Sequence, residues 1–304
     1  MTYKLVTYDA GRGPRAGIIV NDRVFDVVDG TGRREDNSVL ALLADWPMTK
    51  TRLAALAAAP AQAGIDLKNV SLLAPIPNPG AVFCAGANYA DHVLEMAKAQ
   101  NMAPEPDPHS LGLKSWHFIK TIGCIAAPGE VVALPRRSSK VDWEAELAVV
   151  IGRTAKDVPV ERALDCVAGY TIANDLSARD FTKRAQVSDS SPFKYDWVAH
   201  KCFDQSCPLG PWIIPAESIA DPQKLAITLS VNGVVKQNSN TSVMIFNVAE
   251  QISHLSEKLT LRPGDVILTG TPAGVGTPRG EFLKAGDEVR ITIEGIGELV
   301  NRMS

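Results

Sequence analysis

The sequence lacks the features that mark several large classes of protein. Its 304 residues carry 31 Lys and Arg against 34 Asp and Glu, a formal net charge of -3, and these charges are scattered along the chain. Without a basic excess to neutralise phosphates, we expect neither nucleic acid nor a membrane surface as a partner. No stretch reaches the uninterrupted apolar length that crosses a bilayer.

Cysteine is also scarce, and its spacing excludes two common uses. The chain has 5 cysteines, and no two stand at the C-x-x-C spacing of zinc or redox sites: Cys84, Cys124, Cys166, Cys202 and Cys207. We expect reduced, mostly buried thiols. Residues 1–10 interleave polar and apolar types and lack the apolar region of a secretory leader, which favours a cytoplasmic protein.

An apolar content of 45% in 304 residues is enough for one large domain and a small one. Residues 3–8 and 16–28 alternate as strands do, and 38–63 has helical spacing, which predicts a small N-terminal α/β domain over 1–74. Three prolines within 75–79 forbid regular structure there and mark the boundary. The second domain is predicted over 75–304.

The second domain is predicted to be mainly β, because short β runs are broken repeatedly by Gly and Pro. We expect strands near 81–86, 131–134, 142–151, 166–173, 211–214, 225–231, 265–270 and 287–294. Helices are expected near 89–100, 160–165, 176–186 and 245–257. The proline-rich stretch 101–115 is predicted to be a long loop of the kind that often forms a lid.

Three acidic residues stand at two of the predicted strands. Glu144 and Glu146 alternate within one strand and so share a face, and Asp175 follows the strand predicted at 166–173. Crowded carboxylates without His or Cys favour a hard divalent cation such as Mg²⁺ or Mn²⁺, with Ca²⁺ also open. The alternative is a solvated sheet face paired with Lys or Arg, with Asp175 capping the helix that follows.

Five ordered motifs extend this pattern: Asn88-Tyr89-x-Asp91-His92, Asp142-Trp143-Glu144-Ala145-Glu146-Leu147, Asn174-Asp175-x-Ser177-Ala178-Arg179-Asp180, Lys201-x-Phe203-Asp204 and Thr269-Gly270-Thr271-Pro272-Ala273-Gly274. From about residue 75 onward, the chain closely resembles the fumarylacetoacetate hydrolase superfamily. The resemblance implies an α+β fold with a mixed β-sandwich or β-roll core, usually in a homodimer, and a metal held by Glu144, Glu146 and Asp175.

The resemblance also implies roles for four residues around that metal. Lys201 matches a lysine whose ammonium stabilises negative charge on the substrate. Thr271 matches the residue that binds the substrate carboxylate, and Arg179 is assigned to substrate binding with it. Lys120 matches a lysine near the mouth of the site, where an ion pair and a substrate contact are equally open. The bland alternatives are a surface lysine at 201 and a plain turn hydroxyl at 271.

His92 and Glu95 lie three residues apart in a predicted helix, so they share a face and could hydrogen-bond as a base that activates water. The alternative is a capping or surface pair. The resemblance then implies hydrolysis of a C–C bond in an acylpyruvate or other 2,4-diketo acid. Oxaloacetate decarboxylation, hydroxymuconate isomerisation and a catalytically silent binding protein are the alternatives. Many relatives carry Gln where this chain has Thr182. Because this position belongs to the part of the site that would hold the distal half of the substrate, that half is the part the resemblance defines least.

Overall fold

The computed structural model describes residues 3–60 and 63–304. The N-terminal part contains three antiparallel strands, three helices and two short strands. In chain order these are β1 (Lys4–Asp9), β2 (Arg15–Val20), β3 (Arg23–Asp26), α1 (Val27–Thr31), α2 (Val39–Ala44), α3 (Trp46–Ala58), β4 (Ile65–Asp66) and β5 (Ser71–Leu73).

The rest of the chain alternates strands with short helices and long connections. Its first elements are β6 (Val82–Ala85), α4 (Ala90–Ala99), β7 (His117–Lys120), β8 (Ile125–Ala126), β9 (Val131–Val132), β10 (Val141–Asp142), β11 (Ala145–Ile151), α5 (Val160–Ala163), β12 (Val167–Asn174) and β13 (Ser177–Ala178). The remaining elements are α6 (Trp197–Lys201), β14 (Cys207–Pro215), β15 (Ala226–Val231), β16 (Val234–Asn240), α7 (Val248–Lys258), β17 (Val266–Leu268), β18 (Glu288–Ile293) and β19 (Gly297–Met303).

Two sheets organise these strands. The larger one runs in the order β4-β3-β2-β1-β14-β12-β11-β17-β6-β7, with β5 added on β1 and β8 on β14. The smaller one runs β16-β15-β18-β19-β9, and β10 and β13 form a separate two-stranded sheet. The N-terminal strands therefore continue the large sheet through the antiparallel pairing of β1 with β14.

The large sheet is covered on both faces, which explains why its central strands β11 and β12 are buried along their whole length and mostly apolar. From β11, Leu147 and Val149 pack in one cluster with Ile227 and Ile291 of the smaller sheet. The alternate residues of β11, such as Ala148, belong to a second cluster that includes apolar side chains of α2 and α3. This layered arrangement holds the ends of β11 and β12 rigidly.

Close packing between β12 and β14 leaves no room for a side chain at one glycine of β12. A Cβ at Gly169 would lie 2.2 Å from the carbonyl oxygen of Ile214 on the paired strand. We expect Gly169→Ala to lower the free energy of unfolding by about 1 to 3 kcal/mol, because backbone cannot move aside as a side chain can. Denaturant unfolding measures this change. Gly123→Ala is the matched control, since a Cβ there would have its nearest neighbour, the Thr121 hydroxyl, 3.9 Å away. An equal loss of stability in that variant would contradict the expected effect of Gly169.

The predicted fold class is confirmed, and most predicted strands occur. The helix predicted over 176–186 is wrong: Ser177–Ala178 forms β13 and a single 3-10 turn follows over Arg179–Phe181. The long-range pairing of β13 with β10 overrides the local helical pattern. The helix predicted over 38–63 breaks at Asp45, and residues 61–62 of that range lie outside the described residues.

The domain boundary at 74/75 stays a prediction. Strands on both sides of it belong to one sheet, and Leu5 and Leu268 share one hydrophobic cluster. Across the residues that the structure describes, no helix has the length and apolar character needed to cross a membrane.

Candidate active site

The three predicted metal ligands converge where β11 begins and β12 ends. Glu146 lies within β11, and Asp175 directly follows β12, where antiparallel pairing sets Glu146 opposite Ala173. Glu144 precedes β11 rather than lying in it. The prediction that Glu144 and Glu146 alternate within one strand is therefore wrong. Its backbone N–H donates to the Asn174 side chain at 3.0 Å, and its carbonyl accepts from the Asp175 N–H at 2.9 Å. Local backbone bonds thus join the two segments.

The geometry of the cluster fits a divalent cation. One carboxylate oxygen from each of Glu144, Glu146 and Asp175 lies within 4.8 Å of the others. All three residues are buried, with Glu146 and Asp175 each 1% exposed. The alternative of a solvated sheet face is therefore wrong. An all-carboxylate donor set of this kind suits a hard ion.

Two of the three carboxylates have cationic partners. The Lys201 ammonium donates to Glu144 at 2.8 Å and to Asp175 at 2.7 Å. Burial alone would raise the pKa of Glu144, but the Lys201 and Arg179 charges outweigh it and hold that pKa below its ordinary value. The surface-lysine alternative for Lys201 is wrong, since the residue is 3% exposed.

Glu146 differs from its neighbours because its contacts leave its charge poorly compensated. Its carboxylate accepts a hydrogen bond from the Gly270 backbone N–H. Burial raises the pKa of Glu146 well above its ordinary value, and the Asp175 and Glu144 carboxylates raise it further. A divalent cation would remove this repulsion, so Glu146 is the strongest local argument for a metal.

Lys120 and Arg179 contact different carboxylates of the site. The Lys120 side chain is 0% exposed, and its ammonium lies 2.7 Å from Asp175. Lys120 thus forms an ion pair, which was one of its two predicted roles. The other role, a contact with substrate, would require its ammonium to reach the cavity beside the carboxylates. Arg179 bonds Glu144 and, at 3.0 Å, Asp142, while also lining the cavity.

Thr271 is coupled to the metal-ligand strand through a residue that sequence reasoning missed. Gln237 of β16 donates to the Thr271 hydroxyl at 2.9 Å and accepts from the Ala145 N–H at 2.9 Å. Gln237 is 0% exposed. Its place in an ordinary alternating strand offered no indication of this role, because the contact depends on the smaller sheet packing against β11.

Helix α4 places His92 toward the carboxylates but directs Glu95 elsewhere. Glu95 accepts from the Gly274 N–H at 2.7 Å and from Arg279 at 3.0 Å. The buried Nδ1 of His92 has no hydrogen-bond partner anywhere in residues 3–60 and 63–304. The predicted hydrogen bond between His92 and Glu95 is thus not formed in this part of the chain, although the catalytic role of each residue stays a prediction.

A cavity of about 140 Å³ brings the remaining candidates together. Its lining includes the side chains of His92, Glu144, Glu146, Arg179, Lys201 and Thr271, and also His200, Trp116, Phe118 and Trp197. Burial is the largest influence on His92 and lowers the pKa of its imidazole, although Glu144 opposes the shift. A neutral imidazole can accept a proton within this space.

His200 is a second histidine of the cavity that the sequence argument used only as context for Lys201. It is 3% exposed, and both ring nitrogens lack hydrogen-bond partners within the described part of the chain. Burial lowers the pKa of His200, and the neighbouring Lys201 charge lowers it further. Its position one residue before Lys201 was the only available indication.

The fold and the site together define an enzyme of a known class, and the chain belongs to the fumarylacetoacetate hydrolase family. The model of the fumarylacetoacetate (FAA) hydrolase C-terminal domain matches residues 81–304. All five motifs fall within or across that range.

Particular relatives carry names for reactions of keto acids. The mitochondrial oxaloacetate tautomerase fahd2 of Xenopus laevis is 44% identical over 239 residues, 78% of this chain and 69% of that protein. The crystal structure of a Sphingobium maleylpyruvate hydrolase with manganese and pyruvate has a TM-score of 0.76 at 29% identity, covering 99% and 98% of the two chains. The 2-hydroxyhepta-2,4-diene-1,7-dioate isomerase of Mycobacterium marinum has a TM-score of 0.72 at 32% identity, with 99% and 98% covered.

Proposed function

We propose that this chain is a divalent-metal-dependent enzyme that interconverts the keto and enol forms of a small 2-oxo acid of the oxaloacetate type. The observation that carries the proposal is His92, which lines the same cavity as Glu144 and Glu146 and whose buried Nδ1 has no hydrogen-bond partner among the described residues. The name of the Xenopus laevis relative supports the same reaction. This reading replaces C–C hydrolysis as the first choice, because the predicted pair of His92 and Glu95 is not formed.

The cavity suits a short acid. Its volume of about 140 Å³ is well below the roughly 300–1,000 Å³ typical of sites for drug-sized ligands. Arg179, Lys201 and Thr271 line it and offer donors to carboxylate and keto oxygens. These donors match the carboxylate and keto oxygens of a four-carbon acid.

The carboxylate cluster, His92 and Lys201 each have a separate role in the proposed reaction. When bound at Glu144, Glu146 and Asp175, a divalent cation supplies a Lewis acid that polarises a carbonyl oxygen. His92 takes the proton from the carbon beside the keto group and delivers it to the keto oxygen, which gives the enol; the reverse transfer restores the keto form. Lys201, whose pKa is raised because Asp175 and Glu144 outweigh the effect of burial, remains an ammonium and stabilises the negative charge on the keto oxygen.

The proposal is tested by following the ultraviolet absorbance of enol-oxaloacetate with purified protein. We expect acceleration with Mg²⁺ or Mn²⁺ and its loss after chelation, with recovery on adding the ion back. Pyruvate release is measured in parallel, because decarboxylation forms pyruvate and tautomerisation does not. Acceleration that survives complete metal removal would reject the proposal.

Hydrolysis of a 2,4-dioxo acid is the second candidate. It is favoured by the likeness to the Sphingobium maleylpyruvate hydrolase. In that reaction water adds to the distal carbonyl carbon, the bond between that carbon and its neighbour breaks, and a proton goes to the leaving pyruvate. Equal release of pyruvate and a second acid from an acylpyruvate would place this reaction first.

Homodimer formation also stays a proposal, supported by one surface. Strand β7 ends the large sheet, and Ile119 on it is 62% exposed, with Ile122 at 55% and Val198 at 67% nearby in the fold. An apolar sheet edge is a natural pairing surface for a second copy. We expect sedimentation to give a dimer and Ile119→Asp to shift it toward monomer, whereas a monomeric wild type would contradict the proposal. The cytoplasmic location stays a prediction, and the name of the Xenopus laevis relative places that protein in mitochondria.

A further inference from the structure

A second, larger cavity adjoins the carboxylate cavity and takes no part in the reaction described above. It measures about 790 Å³ and lies between α4, the loop predicted over 101–115, and Ile245 and Phe246. Gly86, Ala87 and Trp116 line both cavities. We call the larger one the distal cavity.

The Trp116 indole lies between the two cavities. A Cβ at Gly86 would lie 2.0 Å from the Trp116 ring, so the ring rests directly on the glycine backbone. Trp116 is nevertheless 46% exposed, and its ring centroid lies 5.7 Å from that of Trp197. The partition between the two cavities is therefore formed by the Trp116 ring together with Gly86 and Ala87.

Several large apolar side chains that line the distal cavity are exposed to solvent. Leu94, Leu111 and Leu113 line it and are 40%, 56% and 55% exposed. Val93 and Phe246 extend the same surface. Leaving several large apolar side chains exposed in one concave site is typical of a ligand-binding surface.

The charges around this cavity oppose an acidic ligand. Its two basic side chains are already paired: His109 contacts Glu250 at 3.0 Å, and Lys114 donates to Glu257 at 2.6 Å. Glu105 and Asp107 also belong to the lining. A carboxylate entering here would have to displace an ion pair and approach acidic neighbours, whereas an uncharged group would not.

We propose that the distal cavity binds an uncharged apolar group joined to C4 of a 2,4-dioxo acid. The 2-oxo acid end lies in the carboxylate cavity, the smaller cavity that Glu144 and Glu146 line, and the substrate extends past Trp116 into the distal cavity. The inference rests on the proposed function, since it places the 2-oxo acid end at the metal cluster. It differs from the dioate in the name of the Mycobacterium marinum isomerase, whose far end is a second carboxylate.

The test compares keto–enol interconversion of 2,4-dioxo-4-phenylbutanoate with that of oxaloacetate, each followed by enol absorbance with Mg²⁺ or Mn²⁺. We expect the wild type to act on both substrates. In Leu111→Asp, the ratio of kcat/KM for the phenyl substrate to that for oxaloacetate should fall roughly tenfold or more, the range expected when an apolar contact is lost. Leu164→Asp is the matched control, because Leu164 is 42% exposed and lies outside the cavity lining.

Calorimetric titration of the phenyl substrate into metal-loaded protein gives a second readout, in which Leu111→Asp should weaken binding and Leu164→Asp should not. Turnover of oxaloacetate without turnover or binding of the phenyl substrate overturns the inference and leaves the proposed function standing. An unchanged ratio in Leu111→Asp also overturns it. Failure with both substrates rejects the proposed function, and the inference falls with it.

Discussion

Glu146→Gln is expected to abolish metal-dependent activity while leaving the chain folded. The substitution removes one of the three carboxylates proposed to hold the metal, so the loss of metal affinity should exceed the roughly 10- to 100-fold that loss of an outer-shell partner costs. The fold should tolerate it, because a neutral amide removes a buried carboxylate whose pKa is raised by burial and by Asp175 and Glu144. Metal titration and enol-oxaloacetate kinetics measure the two effects.

Asp175→Asn is the informative comparison, because its ligand role and its structural role coincide. Asp175 pairs with both Lys120 and Lys201, and the side chains of both lysines are nearly or fully buried. Removing its charge leaves those ammonium groups undercompensated, which should cost about 3 to 5 kcal/mol in the free energy of unfolding. Denaturation in chelator separates this loss from any effect of metal binding.

The two variants therefore should lose activity alike and differ in stability. Chelated wild type provides the reference for both measurements. Equal stability of Glu146→Gln and Asp175→Asn would mean that the lysine pairs contribute little, and full metal affinity in Glu146→Gln would remove that residue from the metal site.

His92→Ala is expected to lower kcat for enol interconversion by about 10²- to 10⁴-fold, the range typical of a positioned general base. Metal affinity should change little, since His92 is not one of the three clustered carboxylates. The wild-type rate should rise with pH and have its midpoint below pH 6.5, because burial lowers the pKa of His92 from the ordinary value of 6.5 and the neutral form is the base. Stopped-flow absorbance over a pH series measures both quantities.

Glu95→Gln and His200→Ala serve as comparisons for that result. Glu95 bonds Gly274 and Arg279, so its loss should reduce the rate much less than loss of His92. His200 lines the same cavity and is the other imidazole able to act as base. A normal rate in His92→Ala together with a large loss in His200→Ala would transfer the role to His200.

Much of the candidate site could be predicted because its residue types lie in short, ordered motifs. The predicted strands at 142–151 and 166–173 correspond to β10, β11 and β12, and they deliver Glu146 and Asp175 to one place. Glu144 converges by a different route, through hydrogen bonds to the Asn174 side chain and the Asp175 backbone. The chemistry of the cluster was therefore predictable, whereas the backbone geometry that assembles it was not.

The loop predicted over 101–115 shows the limit of local reasoning. Its prolines correctly predict irregular structure, which is broken only by a 3-10 turn over Pro108–Leu111. Its position depends on contacts with α7, namely His109 to Glu250 and Lys114 to Glu257. These partners are more than a hundred residues away in the chain, and without them the loop would not enclose the distal cavity.

The amino-acid sequence alone determined which groups this protein brings to its chemistry: three carboxylates, a lysine, a histidine and a Gly/Pro turn, together with the mainly β fold that presents them. The tertiary structure alone decided their pairing. It set Lys120 against Asp175, Glu95 against Arg279, and Trp116 between two cavities. The physical reason is range: backbone periodicity follows from neighbouring residues, whereas charge compensation and enclosed space depend on segments that meet only when the sheets pack.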